Sequence, residues 1–186
     1  MPLWLAAAPL VLASRSAVRR ALLEAAGVPV EICPADIDER GVEAGAPLQA
    51  PVAIAALLAR EKASVIAERN RGRLILGADQ TLSLDGRRFA KPVDRAAAQA
   101  QLRALSGRTH ELYSAIAFVQ DGTVLFEYVG VARLTMRAVK TCSSTIISTP
   151  SAMPRPRAWA VTNSKALEFS FLSASTATIS PYWAYR

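Results

Sequence analysis

Short apolar runs bounded by polar and turn-forming residues recur along this chain, and they predict buried β-strands. Three such runs lie in its first half: Leu10–Ala13, Val28–Cys33 and Leu74–Leu76. Two Asp-Gly pairs favour the two-residue hairpin turn that needs positive φ. They predict hairpins that join Thr81–Leu84 to Arg87–Ala90 and Glu111–Phe118 to Val124–Thr135.

Between these runs, apolar residues recur at helical spacing. Predicted helices follow Ser16 and cover Val52–Ala67 and Arg95–Leu105. Gly27 is suited to end the first helix, and Asp94 is suited to cap the start of the third. Gly41–Pro51 lacks a helical period and is predicted to be a loop. Because helices alternate with strands and hairpins, the fold class is predicted to be α/β, with a mixed sheet and flanking helices.

Composition divides the chain into two unequal parts. The 186 residues contain 22 Lys and Arg and 15 Asp and Glu, a net charge of +7. Residues 1–137 hold 17 basic and 14 acidic residues, whereas residues 138–186 hold five basic residues and one acidic residue. All nine glycines lie in the first part, and 15 of the 25 Ser and Thr lie in the second. The basic excess is therefore mostly a property of the second part.

The same counts exclude several classes of protein. Two cysteines, Cys33 and Cys142, are too few for a disulfide scaffold or a Cys-rich zinc module. With His110 as its single histidine, the chain cannot form a multi-His metal site, and any Ser-His-Asp triad would have to use this residue. No apolar run approaches the roughly 20 residues of a membrane span. The apolar residues 1–13 lack the positive n-region of a signal peptide, so a cytoplasmic location is expected.

Basic and hydroxyl side chains cluster at the junction between the first predicted strand and the first predicted helix: Ser14, Arg15, Ser16, Arg19 and Arg20. Helix N-termini favour anions, and arginine binds phosphate in a bidentate manner. This junction is therefore a candidate triphosphate cradle. A solvated basic helix start explains the same spacing equally well.

The remaining candidate site residues are two acidic residues and the two lysines of residues 1–137. Asp79 follows a buried strand and a glycine, so its carboxylate is expected at a strand end, where it could bind magnesium or accept a proton from water. Glu39 could supply a second acidic ligand, and Lys62 and Lys91 could offset polyphosphate charge. Each also has a simpler interpretation as a turn, cap or surface residue. Together these loops suit metal-assisted hydrolysis of a phosphoanhydride.

Six ordered segments of the first 137 residues resemble the motifs of the Maf-like nucleoside triphosphate pyrophosphatases. They are Leu10–Arg20 (containing LASRSAVRR, beside LASxSPRR), Ala35–Glu39 (DIDE), Leu58–Ala63 (LAREKA, beside LAxxKA), Gly77–Gln80 (GAD), Lys91-Pro92 (KP) and Leu105–His110 (LSGRTH, beside LSGxxH). One departure is Ala17, where the pattern usually has proline. The resemblance implies an elongated α/β fold around a central cleft, like that of inosine triphosphatases. It also implies hydrolysis of a nucleoside triphosphate to the monophosphate and pyrophosphate.

The resemblance assigns roles position by position. Asp79 would be the general base or a metal-side carboxylate, with Glu39 near the metal. The phosphates would be bound by Ser14, Arg15, Arg19, Arg20, Lys62 and Lys91. Arg19 and Gln80 occupy positions that bear on base preference, and Gln80 resembles the branch that takes modified nucleotides such as 7-methyl-GTP. Magnesium or manganese would be the cofactor, a homodimer is implied, and removal of unwanted nucleotides would be the biological role.

The resemblance stops after Arg137, where the family has a Gly-rich segment and a GD…GLP ending. Reading a back-translation of Ser143–Pro154 one base earlier, with suitable codons, gives FLDHYLDTVGDA. The same shift applied to Val161–Tyr185 can give GYQLEGLGIQLFERIDGDHFTILGLP, which contains the missing ending. The hypothesis is therefore a Maf-like domain at 1–137 and an out-of-frame tail at 138–186, expected to be poorly packed and to leave the enzyme impaired.

Two other interpretations stay open at this point. An inactive remnant of the enzyme would keep the motifs without the activity. A basic nucleic-acid-binding module would need a basic face interleaved with stacking aromatic residues. Aromatic residues make up only 6% of the chain, and no such interleaving occurs in residues 1–137. No nucleic-acid or membrane partner is therefore expected.

Overall fold

A computed structural model describes residues 4–138 and the backbone of residues 178–182. Its helices are α1 (Ala17–Ala25), α2 (Glu39–Ala44), α3 (Pro51–Arg69) and α4 (Arg95–Leu105). Its strands are β1 (Leu10–Leu12), β2 (Val30–Ile32), β3 (Ile75–Leu84), β4 (Arg87–Phe89), β5 (Thr109–Gln120), β6 (Thr123–Thr135) and β7 (Thr178–Tyr182). The predicted α/β class is confirmed.

One mixed sheet organises the described part of the chain. Its strand order is β2-β1-β3-β5-β6-β7, and β4 pairs with β3 beside this path. The pairs β1–β2 and β1–β3 are parallel, whereas β3–β4, β3–β5, β5–β6 and β6–β7 are antiparallel. The parallel pairs join strand–helix–strand units at the start of the chain, and two of the antiparallel pairs, β3–β4 and β5–β6, are hairpins at the two Asp-Gly turns.

The predicted hairpin turns, the end of the first helix and the cap of α4 are confirmed. Both Asp-Gly hairpin turns have positive φ at both residues, 52° and 77° at Asp85-Gly86 and 48° and 78° at Asp121-Gly122. Gly27 follows α1 with a φ of 76°. The Asp94 carboxylate accepts a hydrogen bond of 2.7 Å from the Ala97 N–H at the start of α4.

The loop prediction for Gly41–Pro51 is wrong at its beginning, where α2 covers Glu39–Ala44. A helix this short has no long apolar period to reveal it. The negative Glu39 lies in its first turn, where the helix dipole favours it. Glu39 therefore belongs to a helix rather than to an exposed acidic turn.

The prediction that a strand ends at Leu76 is also wrong, because β3 continues to Leu84. Gly77 does not interrupt the strand. A Cβ at this position would lie 2.0 Å from the Ala59 carbonyl oxygen and 2.8 Å from the Ala63 backbone nitrogen. The glycine allows α3 to pack directly against β3. Asp79 consequently lies in the middle of a strand and not at its end.

We expect Gly77→Ala to lower the free energy of unfolding by about 3 kcal/mol, because backbone cannot yield to a new methyl group as a flexible side chain does. A matched control is Gly45→Ala, since that Cβ would meet nothing closer than 3.5 Å. The control is expected to change stability by less than about 1 kcal/mol. Urea titration of both variants measures the difference, and equal midpoints would contradict the packing argument.

Two strands share one edge of β3 and leave a gap between them. β1 pairs with β3 at Ile75 and Leu76, and β4 pairs with it only from Leu82 onward. In the described part of the chain, residues 77–81 have no strand partner along this edge. Backbone groups there are available to side chains or ligands.

The two faces of the sheet carry different elements. Helix α3 covers the face of Gly77 and Asp79, and we call this the α3 face. Leu76 points to the opposite face, where it packs near Leu23 of α1, and we call this the α1 face. Successive side chains of β3 therefore project alternately to the α3 face and the α1 face.

The expectation for the tail concerns residues that lie mostly outside the described part of the chain. Only Ala138 and the backbone of β7 are described there, and β7 pairs antiparallel with residues 129–133 of β6. The division at residue 137 stays a prediction. Among the described residues, no helix is long and apolar enough to cross a membrane.

Candidate functional site

The Arg19 guanidinium lies at the open edge of β3. Its Nη1 donates to the Ser14 Oγ at 2.9 Å and to the Ala78 carbonyl oxygen at 3.0 Å. The backbone N–H groups of Val11 and Ala13 bond the carbonyls of Leu74 and Leu76. If β1 continued, its next such donor would reach Ala78. Arg19 takes this place, so its charge is fixed beside the backbone that leads to Asp79.

Local sequence explains how Arg19 reaches this position. β1 ends before Ser14, and Ser16 caps α1 by accepting a hydrogen bond from the Arg19 N–H at 3.4 Å. The Ser14 Oγ also accepts a hydrogen bond from the Ser16 N–H at 3.3 Å. The two hydroxyls thus shape the turn, and Arg19 follows in the first turn of the helix. The structure brings together Ser14 and Arg19, two of the candidate phosphate-binding residues.

Lys62 joins the two predicted acidic residues. Its Nζ donates to Asp79 Oδ1 at 2.7 Å and lies 2.8 Å from Glu39 Oε1. Side chains of Lys62 and Asp79 are only 11% and 12% exposed, whereas Glu39 is 53% exposed. The Lys62–Asp79 pair is therefore sheltered from solvent and Glu39 forms its open side. Loss of either inner partner would leave a poorly hydrated charge.

Three other predicted residues lie outside these contacts. Arg15 is exposed. Arg20 is exposed on α1, where its Nε lies 2.7 Å from Glu24 Oε1. Lys91 is exposed after β4. The described contacts do not join these three residues to Asp79.

Gln80 points to the α1 face, away from the Lys62–Asp79 pair. Its Nε2 donates to the Ser114 Oγ of β5 at 3.2 Å, and both residues are exposed. Sequence reasoning missed Ser114, because only the β3–β5 register places it opposite Gln80. No local signal in the Glu111–Phe118 segment identifies it.

Two shifted pKa values lie outside this cluster. The hydrogen bond from Tyr113 lowers the pKa of Glu111 against an opposing effect of burial, and Arg133 lowers it further. Burial lowers the pKa of His110, against a hydrogen bond to the Arg108 backbone. His110 is 1% exposed, and this burial agrees with the structural role expected for it.

The residues that could hold a metal ion are Glu39 and Asp79. Their oxygens already hold one cation, the Lys62 ammonium, at 2.8 and 2.7 Å. Within the described residues no group of three His, Cys, Asp or Glu could hold a metal ion. Two carboxylates suit Mg²⁺ when substrate phosphates and water complete its octahedral shell. The donor set therefore fits a metal ion that arrives with a polyphosphate.

Comparison with known proteins gives consistent matches. A family model described as Maf-like protein matches residues 9–182. A nucleoside triphosphate pyrophosphatase of Rhodopseudomonas palustris (strain HaA2) is 57% identical over 137 residues, which cover 74% of this chain and 68% of the relative. A 7-methyl-GTP pyrophosphatase of Mesorhizobium japonicum is 51% identical over 132 residues, covering 69% of this chain and 65% of the relative. Among solved structures, a HAM1 protein from Coxiella burnetii matches with a TM-score of 0.43 and 20% identity, over 68% of this chain and 72% of that one.

Proposed function

Because this chain belongs to the Maf-like protein family, we propose that it hydrolyses a nucleoside triphosphate to the monophosphate and pyrophosphate. One observation carries the proposal: a sheltered Lys62–Asp79 pair lies beside an open strand edge that already binds the Arg19 guanidinium. The edge supplies fixed positive charge for a triphosphate, and the pair supplies a carboxylate beside it. Hydrolysis joins a water oxygen to the α-phosphorus and breaks the α–β phosphoanhydride bond.

Each residue has a role in this reaction. Asp79 accepts the proton of the attacking water, and Lys62 orients the carboxylate through its 2.7 Å hydrogen bond. Arg19 and Ser14 bind phosphate oxygens at the edge of β3. Arg15, Arg20 and Lys91 add charge from the exposed rim, where their side chains can move onto a bound triphosphate.

We propose magnesium or manganese as the cofactor. Glu39 and Asp79 would hold the ion together with phosphate oxygens of the substrate. When bound, it would supply charge neutralisation at the phosphates. The residues of this chain orient the carboxylate, bind the phosphates and accept the proton.

The substrate class is a nucleoside triphosphate that the cell removes from its pool. The Mesorhizobium japonicum relative is named for 7-methyl-GTP, and Gln80 favours this kind of substrate over dTTP and UTP. We place the protein in the cytoplasm, where such a pool lies, and propose a homodimer without a nucleic-acid partner.

A nucleotide panel tests this function. The chain is incubated with Mg²⁺ and each of GTP, 7-methyl-GTP, ATP, CTP, UTP and dTTP, and pyrophosphate is measured. We expect pyrophosphate and monophosphate in equal amounts, with 7-methyl-GTP preferred over dTTP and UTP. Release of inorganic phosphate with a diphosphate would contradict the proposal. Salt-dependent retention of DNA or RNA without hydrolysis would favour a nucleic-acid-binding module instead.

We also propose that residues 138–186 are read out of frame. The compositional break at Arg137 and the family-like sequence one base earlier support it. The proposal predicts that this chain turns over nucleotides slowly, although its first 137 residues contain the candidate site. The nucleotide panel is therefore repeated with a chain whose residues after 137 are encoded in the earlier reading frame. Activity of that chain tests the proposed function separately from any effect of the present tail.

A further inference from the structure

Helix α2 carries Glu39 to the candidate site without an apolar anchor of its own. None of its six residues is buried, and its one large apolar side chain, Val42, is only half-buried. Glu39 and Glu43 are four residues apart and so lie on the same side of the helix. Each carboxylate reaches a basic side chain of another element. The position of α2 therefore depends on polar contacts near its two ends.

The contact near the second end joins α2 to the hairpin strand β4. The Arg88 Nη1 lies 3.2 Å from the Glu43 Oε2, and the two side chains are 26% and 33% exposed. Arg88 pairs with Ser83 of β3, four residues beyond Asp79, so its side chain lies on the α3 face as Asp79 does. The Arg88–Glu43 pair is thus partly sheltered, and it ties α2 to the strand that follows β3.

Gln49 makes a second link between Arg88 and α2. Its Nε2 donates to the carbonyl oxygens of Glu43 and Ala46 at 3.0 and 3.2 Å, where the helix ends. Its Oε1 accepts a hydrogen bond of 3.5 Å from the Arg88 Nη2. Both Nη atoms of the guanidinium therefore hold the same end of α2. We call Arg88, Glu43 and Gln49 the clasp.

The clasp lies about one helical turn from Glu39. A helix rises about 1.5 Å per residue, so Glu43 is about 6 Å along the axis from Glu39. The Glu39 side chain is 53% exposed and lies 2.8 Å from the Lys62 Nζ. Holding an exposed side chain in one position costs conformational entropy, and this cost is smaller when the backbone that carries it is already held. The clasp holds that backbone.

We propose that Arg88 is a positioning residue, which holds α2 and thereby keeps the Glu39 carboxylate beside Asp79. This inference rests on the proposed function, in which Glu39 and Asp79 hold a metal ion together with substrate phosphates. It extends that function to the clasp, which touches neither group. Without Arg88, α2 can move away from α3 and take Glu39 with it. The chain would then offer one carboxylate instead of two for part of the time.

Binding of α,β-methylene-GTP to the full chain tests this role without turnover, because its α–β linkage resists cleavage. Titration calorimetry gives one Kd with Mn²⁺ and one in EDTA, and their ratio measures the contribution of the metal ion. We expect Arg88→Ala to reduce that contribution about 10-fold, the low end for residues that orient a metal ligand. The affinity in EDTA should stay unchanged. An equal loss with and without Mn²⁺ would overturn the proposal, because Arg88 would then bind phosphate itself.

Charge exchange and a double variant test whether Arg88 acts through Glu43 and Glu39. Glu43→Arg should lose the metal contribution as Arg88→Ala does, and Arg88→Glu combined with Glu43→Arg should restore it. In a Glu39→Gln chain, Arg88→Ala should cause no further loss. The matched control is Arg133→Ala, which breaks the 3.0 Å pair with Glu111 on the same face and should change neither affinity. A further loss in the Glu39→Gln chain, or no recovery in the exchanged chain, would contradict the clasp.

Hydrogen exchange of the free chain gives a readout that needs no ligand. The N–H groups of Val42 and Gly45 donate to the carbonyls of Asp38 and Gly41 at α2. We expect both to exchange about 10-fold faster in Arg88→Ala, with exchange in α3 unchanged, because the clasp controls local opening. Equal acceleration in α3 would indicate general destabilisation and would overturn the proposal.

The two proposals fail in different ways. If the wild-type chain gains no affinity from Mn²⁺ and releases no pyrophosphate, the proposed function fails and this inference fails with it. If the wild-type chain does both and Arg88→Ala behaves identically, the clasp is wrong while hydrolysis stands.

Discussion

Replacing Asp79 with asparagine is expected to lower the kcat for pyrophosphate release about 10²–10⁴-fold, the usual contribution of a positioned general base. The change keeps the shape of the side chain, and the amide oxygen can still accept the hydrogen bond from Lys62. It removes the negative charge and the capacity to take a proton from water. Pyrophosphate release under saturating nucleotide measures the effect directly.

Asp94→Asn provides the matched control for this variant. Asp94 caps α4 through its 2.7 Å hydrogen bond, and asparagine caps helices equally well. The control should keep wild-type activity and stability. If Asp79→Asn retained the wild-type kcat, Asp79 would not be the base and the proposed mechanism would be wrong.

Restoring the earlier reading frame after residue 137 is expected to stabilise the chain and to raise its activity. The family-like reading returns glycines and a periodic apolar pattern that the present tail lacks. Burial of each large apolar side chain contributes about 1.5–3 kcal/mol. In a chain of this size, about 1 kcal/mol shifts Tm by about 2–4 °C. Three newly buried side chains would therefore raise Tm by about 10 °C or more.

Two controls make this result specific. Sequencing the gene around codon 138 shows whether the bases permit the earlier frame. A variant with the residues 139–177 in shuffled order should match the present chain in Tm and activity, because an out-of-frame sequence carries no selected pattern. A shuffled chain that loses most of its stability would contradict the proposal, as would a present chain with the activity of the restored one.

The cluster at the open edge of β3, which we propose binds phosphate, could be expected from the sequence because its residues are close together along the chain. Ser14, Ser16 and Arg19 fall within one strand-to-helix junction, where local geometry alone gathers hydroxyl and guanidinium groups. Hairpin turns at the Asp-Gly pairs were predictable for the same reason, since positive φ is a local property. Such features depend on a few neighbouring residues and leave a clear pattern.

Lys62, Asp79 and Glu39 were each candidates in the sequence, but their meeting is a tertiary result. Asp79 was expected at a strand end because Gly77 resembles a strand breaker. In the fold, Gly77 has no side chain where α3 crosses β3, and this close approach brings the Lys62 Nζ to within 2.7 Å of Asp79 Oδ1. The helix that presents Glu39 was too short to show a period.

The sequence by itself determined the α/β class, the strand-to-helix junction with its serines and arginine, and both hairpin turns, because short-range sterics and hydrogen bonds decide them. The tertiary structure alone decided what each side chain of β3 contacts on its face of the sheet. Continuing β3 through Gly77 sends Asp79 to Lys62 on one face and Gln80 to Ser114 on the other. Strand register and helix packing join residues far apart in the chain, and no local pattern encodes that pairing.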